Sequence, residues 1–233
     1  MKWLNVRRSL FERQYRKKLK SNYFLSQAAE YEGTLSRIRQ WLQYADETLD
    51  ARARLELLDF LMEAILEDIR SSAACELVYA PRYKTRDWWG VLDFGYRLGA
   101  KCGGVEQISS EGKTVVSSPY DWEKTFLALR SILTRGFHSD LGDYNGIYYP
   151  ELNLISVTNG LHHSWVASQK RQHGVYRVSV YRLADMFPRF LTDGEFWYDR
   201  SKPNARYPVY DVRIALLYEL ARMKNTSREG ESR

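Results

Sequence analysis

Residues 154–183 read LISVTNGLHHSWVASQKRQHGVYRVSVYRL, and this run decides the fold. Leu154, Ile155 and Val157 make a short apolar strand, and Asn159-Gly160 is a strong turn signal. A helix is expected from about Leu161 to Gln172, with Gly174 placed to end it. Tyr176, Val178 and Val180 then alternate with Arg177, Ser179 and Tyr181, the period of a half-buried strand. The order is strand, turn, helix, strand. His162 and His163 stand where the turn becomes the helix. There the free backbone N–H groups and the positive end of the helix dipole favour a phosphate or carboxylate.

Working outward, Ile147-Tyr148-Tyr149 pairs with Leu154–Val157 as a hairpin turned at residues 150–153. Before it, Ser118-Pro119 is expected to start a helix whose buried face is Trp122, Phe126, Leu129 and Leu133 and which Gly136 closes. Residues 74–119 are less regular. Glu76–Tyr79, Trp88–Phe94 and Thr114–Val116 are expected as strands and Lys101–Gly104 as a turn. Trp88 and Trp89 would point to opposite faces of a strand, and they are assigned to packing rather than to base stacking. Further towards the N-terminus, Tyr31, Leu35, Ile38, Leu42 and Ala45 share one helical face after Ser26. Leu55, Leu58, Met62, Ile65 and Ile69 do the same after Asp50, so an αα-hairpin is expected. After the central run, Ala184–Leu191 is read as a short helix and Val209–Met223 as a longer one.

At 233 residues with 44% hydrophobic content the chain can bury a sizeable core. Two cysteines, Cys75 and Cys102, can build neither a disulfide framework nor a cysteine-rich zinc site, so a reducing cytoplasmic location is expected. No apolar run approaches the roughly 18 residues of a membrane span. The first 20 residues hold eight Lys/Arg against Glu12 alone, or +7. The chain's +6 less that +7 leaves −1 for the rest, so the basic character belongs to one arm. Such an arm, with Arg7, Arg8, Arg13, Arg16, Lys17 and Lys18, attracts nucleic acid without reading its sequence. Equally, Trp3, Leu10, Phe11 and Tyr15 can pack the arm on the body as a helix.

The order helix 122–135, Gly136-Phe137, strand hairpin, Val157-Thr158-Asn159-Gly160-Leu161-His162-His163, helix with Ala167 and final strand resembles the ParB/sulfiredoxin superfamily. The likeness covers roughly residues 118–183. It implies that the turn binds nucleotide phosphates, in a family that includes nucleotide hydrolases, small-molecule kinases and nuclease-like proteins. Gly160, His162 and Ala167 fit the pattern, whereas His163 stands where that pattern has Arg and Asn159 where it has an acidic or small residue. An Arg grips phosphate bidentately at any pH; a His donates one bond per nitrogen and titrates. More loosely, the chain resembles uncharacterised bacterial proteins with an N-G-x-H element.

The expected fold is therefore α+β: an N-terminal helical hairpin region (1–73, with the basic arm), a small mixed sheet with helices of ParB/sulfiredoxin type (74–223, core 118–183) and a flexible tail (224–233). The candidate catalytic residues are His162 and His163, with His162 as general acid or base. Asn159, Gly160, Leu161, Ser164 and Lys170 are the candidate phosphate ligands, and Asp140, Asp143 and Glu151 come from loops that can orient a His or hold Mg²⁺. Adjacent histidines diverge by about 100° on a helix, which disfavours a zinc site. The leading function is binding of a nucleotide phosphate or nucleic-acid backbone, with phosphoryl transfer or phosphodiester hydrolysis as the chemistry and a nucleoside triphosphate with Mg as the cofactor. The alternative is a non-enzymatic nucleic-acid or protein binding module, as in a bacterial toxin or phage-defence system. Partners are nucleic acid through the arm and a protein or second copy through the helical region.

Overall fold

A computed structural model describes residues 27–48, 51–79, 92–100, 102–138 and 143–231. The basic arm, the expected caps Ser26 and Asp50, Trp88 and Trp89, and Asp140 lie outside the described residues.

The helical hairpin forms as its periodicity requires. Helix α1 (27–48) buries Tyr31, Leu35, Ile38, Leu42 and Ala45, and α2 (Ala51–Tyr79) buries Leu58, Met62, Leu66 and Ile69. An Arg54–Asp46 ion pair ties the two helices together beside their link. Helix α2 runs on through Tyr79, so Glu76–Tyr79 is helical rather than a strand. Phe94, expected in a second strand, instead opens the short helix α3 (Phe94–Arg97).

The main sheet holds β1 (Gly104–Ser109), β2 (Thr114–Val116), β3 (Asn145–Tyr149), β4 (Leu154–Asn159) and β5 (Val175–Val180), in the order β1-β5-β3-β4-β2. It is mixed: β1/β5 and β3/β4 pair antiparallel, β3/β5 and β2/β4 parallel. The hairpin at 145–159 is as expected. Strand β1 is not foreshadowed by any apolar alternation, five of its six residues being exposed. Helix α4 (Trp122–Arg135) precedes β3, and α5 (Leu161–Gln169) carries the chain from β4 across β3 to β5. Asp121, not Ser118, caps α4: its Oδ1 accepts from the Lys124 N–H at 3.0 Å. Helix α5 ends sooner than expected, at Gln169, with Arg171 taking the left-handed turn at φ 54°.

Residues 184–189 form turns rather than a helix, and Phe190 and Leu191 enter a second sheet of β6 (Phe190–Thr192), β7 (Phe196–Asp199) and β8 (Arg206–Pro208). Its buried Trp197 stacks on Phe94 at 5.7 Å and meets Tyr218 edge-on at 5.0 Å. Tyr218 lies on α6 (Val212–Glu231), so the stretch expected as a flexible tail is helical to Glu231.

The main sheet is covered on both faces. Ile147, Tyr149 and Leu154 join one large cluster with α1, α2 and α6, while Ile155, Val157, Tyr176 and Val178 pack on the other face with Phe137, Tyr144 and Leu161. The α4–α5 contact is made by Ala128, Ile132, Val166 and Ala167. Helix α4 is therefore rotated from its expected orientation. Thr125, Ala128 and Ile132 are buried, whereas Trp122, Phe126 and Leu133 face solvent.

Candidate functional site

The Asn159-Gly160 turn brings the chain from β4 into α5 with Gly160 at φ 79°, the left-handed region that a glycine enters at no steric cost. Gly160, the N-cap of this helix, has no side chain to cap it, and the first three N–H groups of any helix lack intrahelical partners. Asn159 Nδ2 donates to the Asp143 carbonyl at 2.8 Å and ties the turn to the segment entering β3. The bare face of Gly160 is covered by the chain itself, since a Cβ there would lie 2.4 Å from Tyr144 Cδ1.

A cleft of about 470 Å³ opens between the end of α4 and the start of α5. Arg135, His138, Asp143, Tyr144, Asn159 and His163 are among its lining. His163 points into this space, and burial holds its imidazole below the ordinary histidine value. The His138 ring makes a close hydrogen bond with the Arg135 carbonyl, which fixes it across the end of α4.

His162 points elsewhere. Its Nδ1 lies 2.9 Å from Thr125 Oγ1, and its ring meets Tyr120 edge-on at 4.9 Å. Thr125 already donates its hydroxyl proton to the Asp121 carbonyl at 2.7 Å. The bond to His162 must therefore run from Nδ1–H to the Thr125 oxygen, which fixes the neutral tautomer. Nε2 is then an acceptor, buried and without a hydrogen-bond partner among the described residues. Burial lowers the His162 pKa, Asp121 opposes that shift, and Lys124 and His163 add to it.

The other expected ligands are dispersed. Leu161 packs into the sheet core, and its carbonyl accepts from Ser117 Oγ at 2.7 Å. Ser164 is fully buried beside Tyr176. Lys170 is the C-cap at the far end of α5. Glu151 accepts from the Leu183 and Ala184 N–H groups at 3.0 and 3.1 Å, a backbone-tying role rather than one that orients a histidine. Among the described residues no group of three or more His, Cys, Asp or Glu is arranged to hold a metal ion, and no helix is long and apolar enough to cross a membrane. The residues missed from the sequence are Arg135 and His138. Their signal was a cationic end to α4 just ahead of Gly136-Phe137.

The arrangement offers one cationic guanidinium and two imidazoles around one concavity, beside the start of a helix. That chemistry suits an anion, and the Asp143 carboxylate at its margin suits a cation or a hydroxyl. No curated protein and no solved structure matches this chain. A profile described as a family of unknown function, DUF6710, matches residues 12–230, nearly the whole length, and the chain belongs to that family.

Proposed function

We propose that the cleft between α4 and the start of α5 binds a phosphate group, of a nucleotide or of a nucleic-acid backbone. The observation that carries this reading is the convergence of Arg135, His138 and His163 on one cavity at a helix N-terminus. Arg135 supplies the permanent charge that the His163 position lacks relative to the superfamily pattern. The ParB/sulfiredoxin likeness supports the same reading, since helix, Gly-Phe step, hairpin, turn and helix follow in that order. A nucleoside triphosphate would bring magnesium, for which Asp143 is the nearby carboxylate, magnesium usually taking one or two carboxylates plus phosphate oxygens. The basic arm adds sequence-independent attraction for nucleic acid, and the cysteine content favours a cytoplasmic setting.

Binding without turnover is favoured by one specific observation. The two histidines diverge, so only His163 reaches the cleft, while His162 links α4 to α5 through Thr125. A phosphoryl transfer at this site therefore lacks the adjacent pair as acid and base, and the second imidazole in the cleft, His138, is engaged by the Arg135 carbonyl.

The test is a thermal-shift panel of ATP, CTP, GTP, NAD and inorganic phosphate, each with and without Mg²⁺. A ligand at about 100 times its Kd stabilises by about 2.7 kcal/mol, or roughly 5–10 °C for a chain of this length. Arg135→Ala and His163→Ala should each abolish most of that shift. No shift with any ligand, or a shift indifferent to both variants, overturns the reading. Ligand consumption that disappears in His163→Ala would establish the catalytic alternative.

A further inference from the structure

Helix α4 carries two apolar faces, and among the described residues only one is packed. Thr125, Ala128 and Ile132 pack inward. Trp122, Phe126 and Leu133 are 59%, 53% and 65% exposed, and Leu129 between them is half-buried. The spacing of Trp122, Phe126, Leu129 and Leu133 is four, three, four, which is the heptad spacing by which one helix packs along another. Trp122 and Phe126 already lie ring to ring at 6.2 Å, and Tyr120, 54% exposed, extends the surface beyond the helix start. Each ring offers a little over half of roughly 200 Å², so the three supply about 300 Å² before Leu133 is added. That is the size of the largest apolar patch on a typical folded monomer, which is often functional.

We infer that this face pairs with the same face of a second copy of the chain, the two α4 helices running antiparallel about a two-fold axis. The charges beside the stripe select that partner and that direction. In the heptad, Trp122 and Leu129 are d positions and Phe126 and Leu133 are a positions, which makes Glu123 and Arg130 successive e positions. In an antiparallel pair e faces e, so Glu123 of each copy meets Arg130 of the other, twice by symmetry. The layers are then Trp122 against Leu133 and Phe126 against Leu129. A parallel pair sets e against g, and the g positions here, Thr125 and Ile132, carry no charge to meet Glu123 or Arg130. The helix thus fits its own reversed copy and not its parallel one. Ser131 and Arg135, which line the cleft, lie on the opposite flank of α4, so pairing leaves both clefts open.

Sedimentation velocity across a concentration series tests this on the full chain. The expected result is a dimer that Leu133→Asp and Phe126→Asp convert to monomer with the circular-dichroism melting temperature preserved, because neither side chain is buried in the protomer. Glu123→Arg and Arg130→Glu should each weaken dimerisation at least about tenfold, and the two together should restore it to within about twofold. A chain that is monomeric at every concentration overturns the inference. So does a dimer untouched by Leu133→Asp, and failure of the double reversal to restore pairing overturns the antiparallel register. The phosphate response of Leu133→Asp should equal that of wild type, which keeps this test separate from that of the cleft.

Discussion

Gly160→Ala perturbs the turn through two separable terms. At φ 79° an L-residue pays about 1–2 kcal/mol for its Cβ. That Cβ also falls 2.4 Å from Tyr144 Cδ1 and 2.8 Å from Cε1, where ordinary carbon contacts are about 3.5–4.0 Å. The ring must therefore move by about 1 Å. It is not free to do so, because it sits edge-on to Phe137 at 5.0 Å and to Tyr176 at 6.0 Å. Overpacking of this kind costs about 1–3 kcal/mol. The expected total of about 3 kcal/mol corresponds to a melting temperature lower by roughly 6–12 °C. Urea denaturation of four proteins, wild type, Gly160→Ala, Tyr144→Ala and the double variant, separates the terms. With the ring gone, Gly160→Ala should cost only the backbone share, about 1–2 kcal/mol. An equal loss in both backgrounds would refute the ring as the obstacle, and no loss in either would refute the left-handed turn.

Burial holds both His162 and His163 below their ordinary value of 6.5, so the unfolded chain binds more protons and stability falls as pH drops through that value. Urea midpoints at pH 7.5 and 5.5 should separate more for wild type than for His162→Gln/His163→Gln; equal separations would contradict the assignment. Asp93 shows the opposite sign: burial raises its carboxyl from 3.8 to about 6 against the pull of Arg97, so its favourable contribution is lost as pH rises through that window. Asp93→Asn should therefore raise the melting temperature at pH 7.5 and do less at pH 4, and a loss at pH 7.5 would show that the charge is needed. The fully buried Tyr149 hydroxyl accepts from the Gly95 N–H at 3.1 Å and donates to the Leu92 carbonyl at 3.0 Å. Tyr149→Phe leaves both unsatisfied and should cost about 2 kcal/mol, measurable by calorimetry; an unchanged melting temperature would mean that water replaces the phenol.

The parts of the fold legible in the sequence are those where one face of an element does one job. Tyr31, Leu35, Ile38 and Leu42 lie on a helix with a single buried face, and Tyr176, Val178 and Val180 on a strand with one. Helix α4 misled because it has two apolar stripes of equal period. The small residues Thr125 and Ala128 admit α5 closely at Ala167, while the larger Trp122 and Phe126 look more like core than they are. Leu77-Val78-Tyr79 is strand-like in composition but continues α2, which has no stop signal before it. Strands β6 to β8, of three or four residues, are too short to show a period. At the site, the helix geometry foretold that His162 and His163 diverge. That Arg135 would share a cavity with His163 depends on the α4–α5 packing, which no local pattern encodes.

The cluster joining α1 and α2 to α6 orders the life of the chain in time. Arg213 of α6 reaches Asp68 of α2 at 2.6 Å, and Lys224 pairs with Asp59, contacts between early and late parts of the sequence. At about 5–20 residues per second, the ribosome takes on the order of 10 s to travel from Tyr79 to Val212. Through that interval Leu58, Met62 and Ile69 stand ready with no α6 to cover them. A nascent chain stalled before Val212 would offer those stripes to chaperones or to its neighbours, so emergence of the last helix is the step that commits the first two.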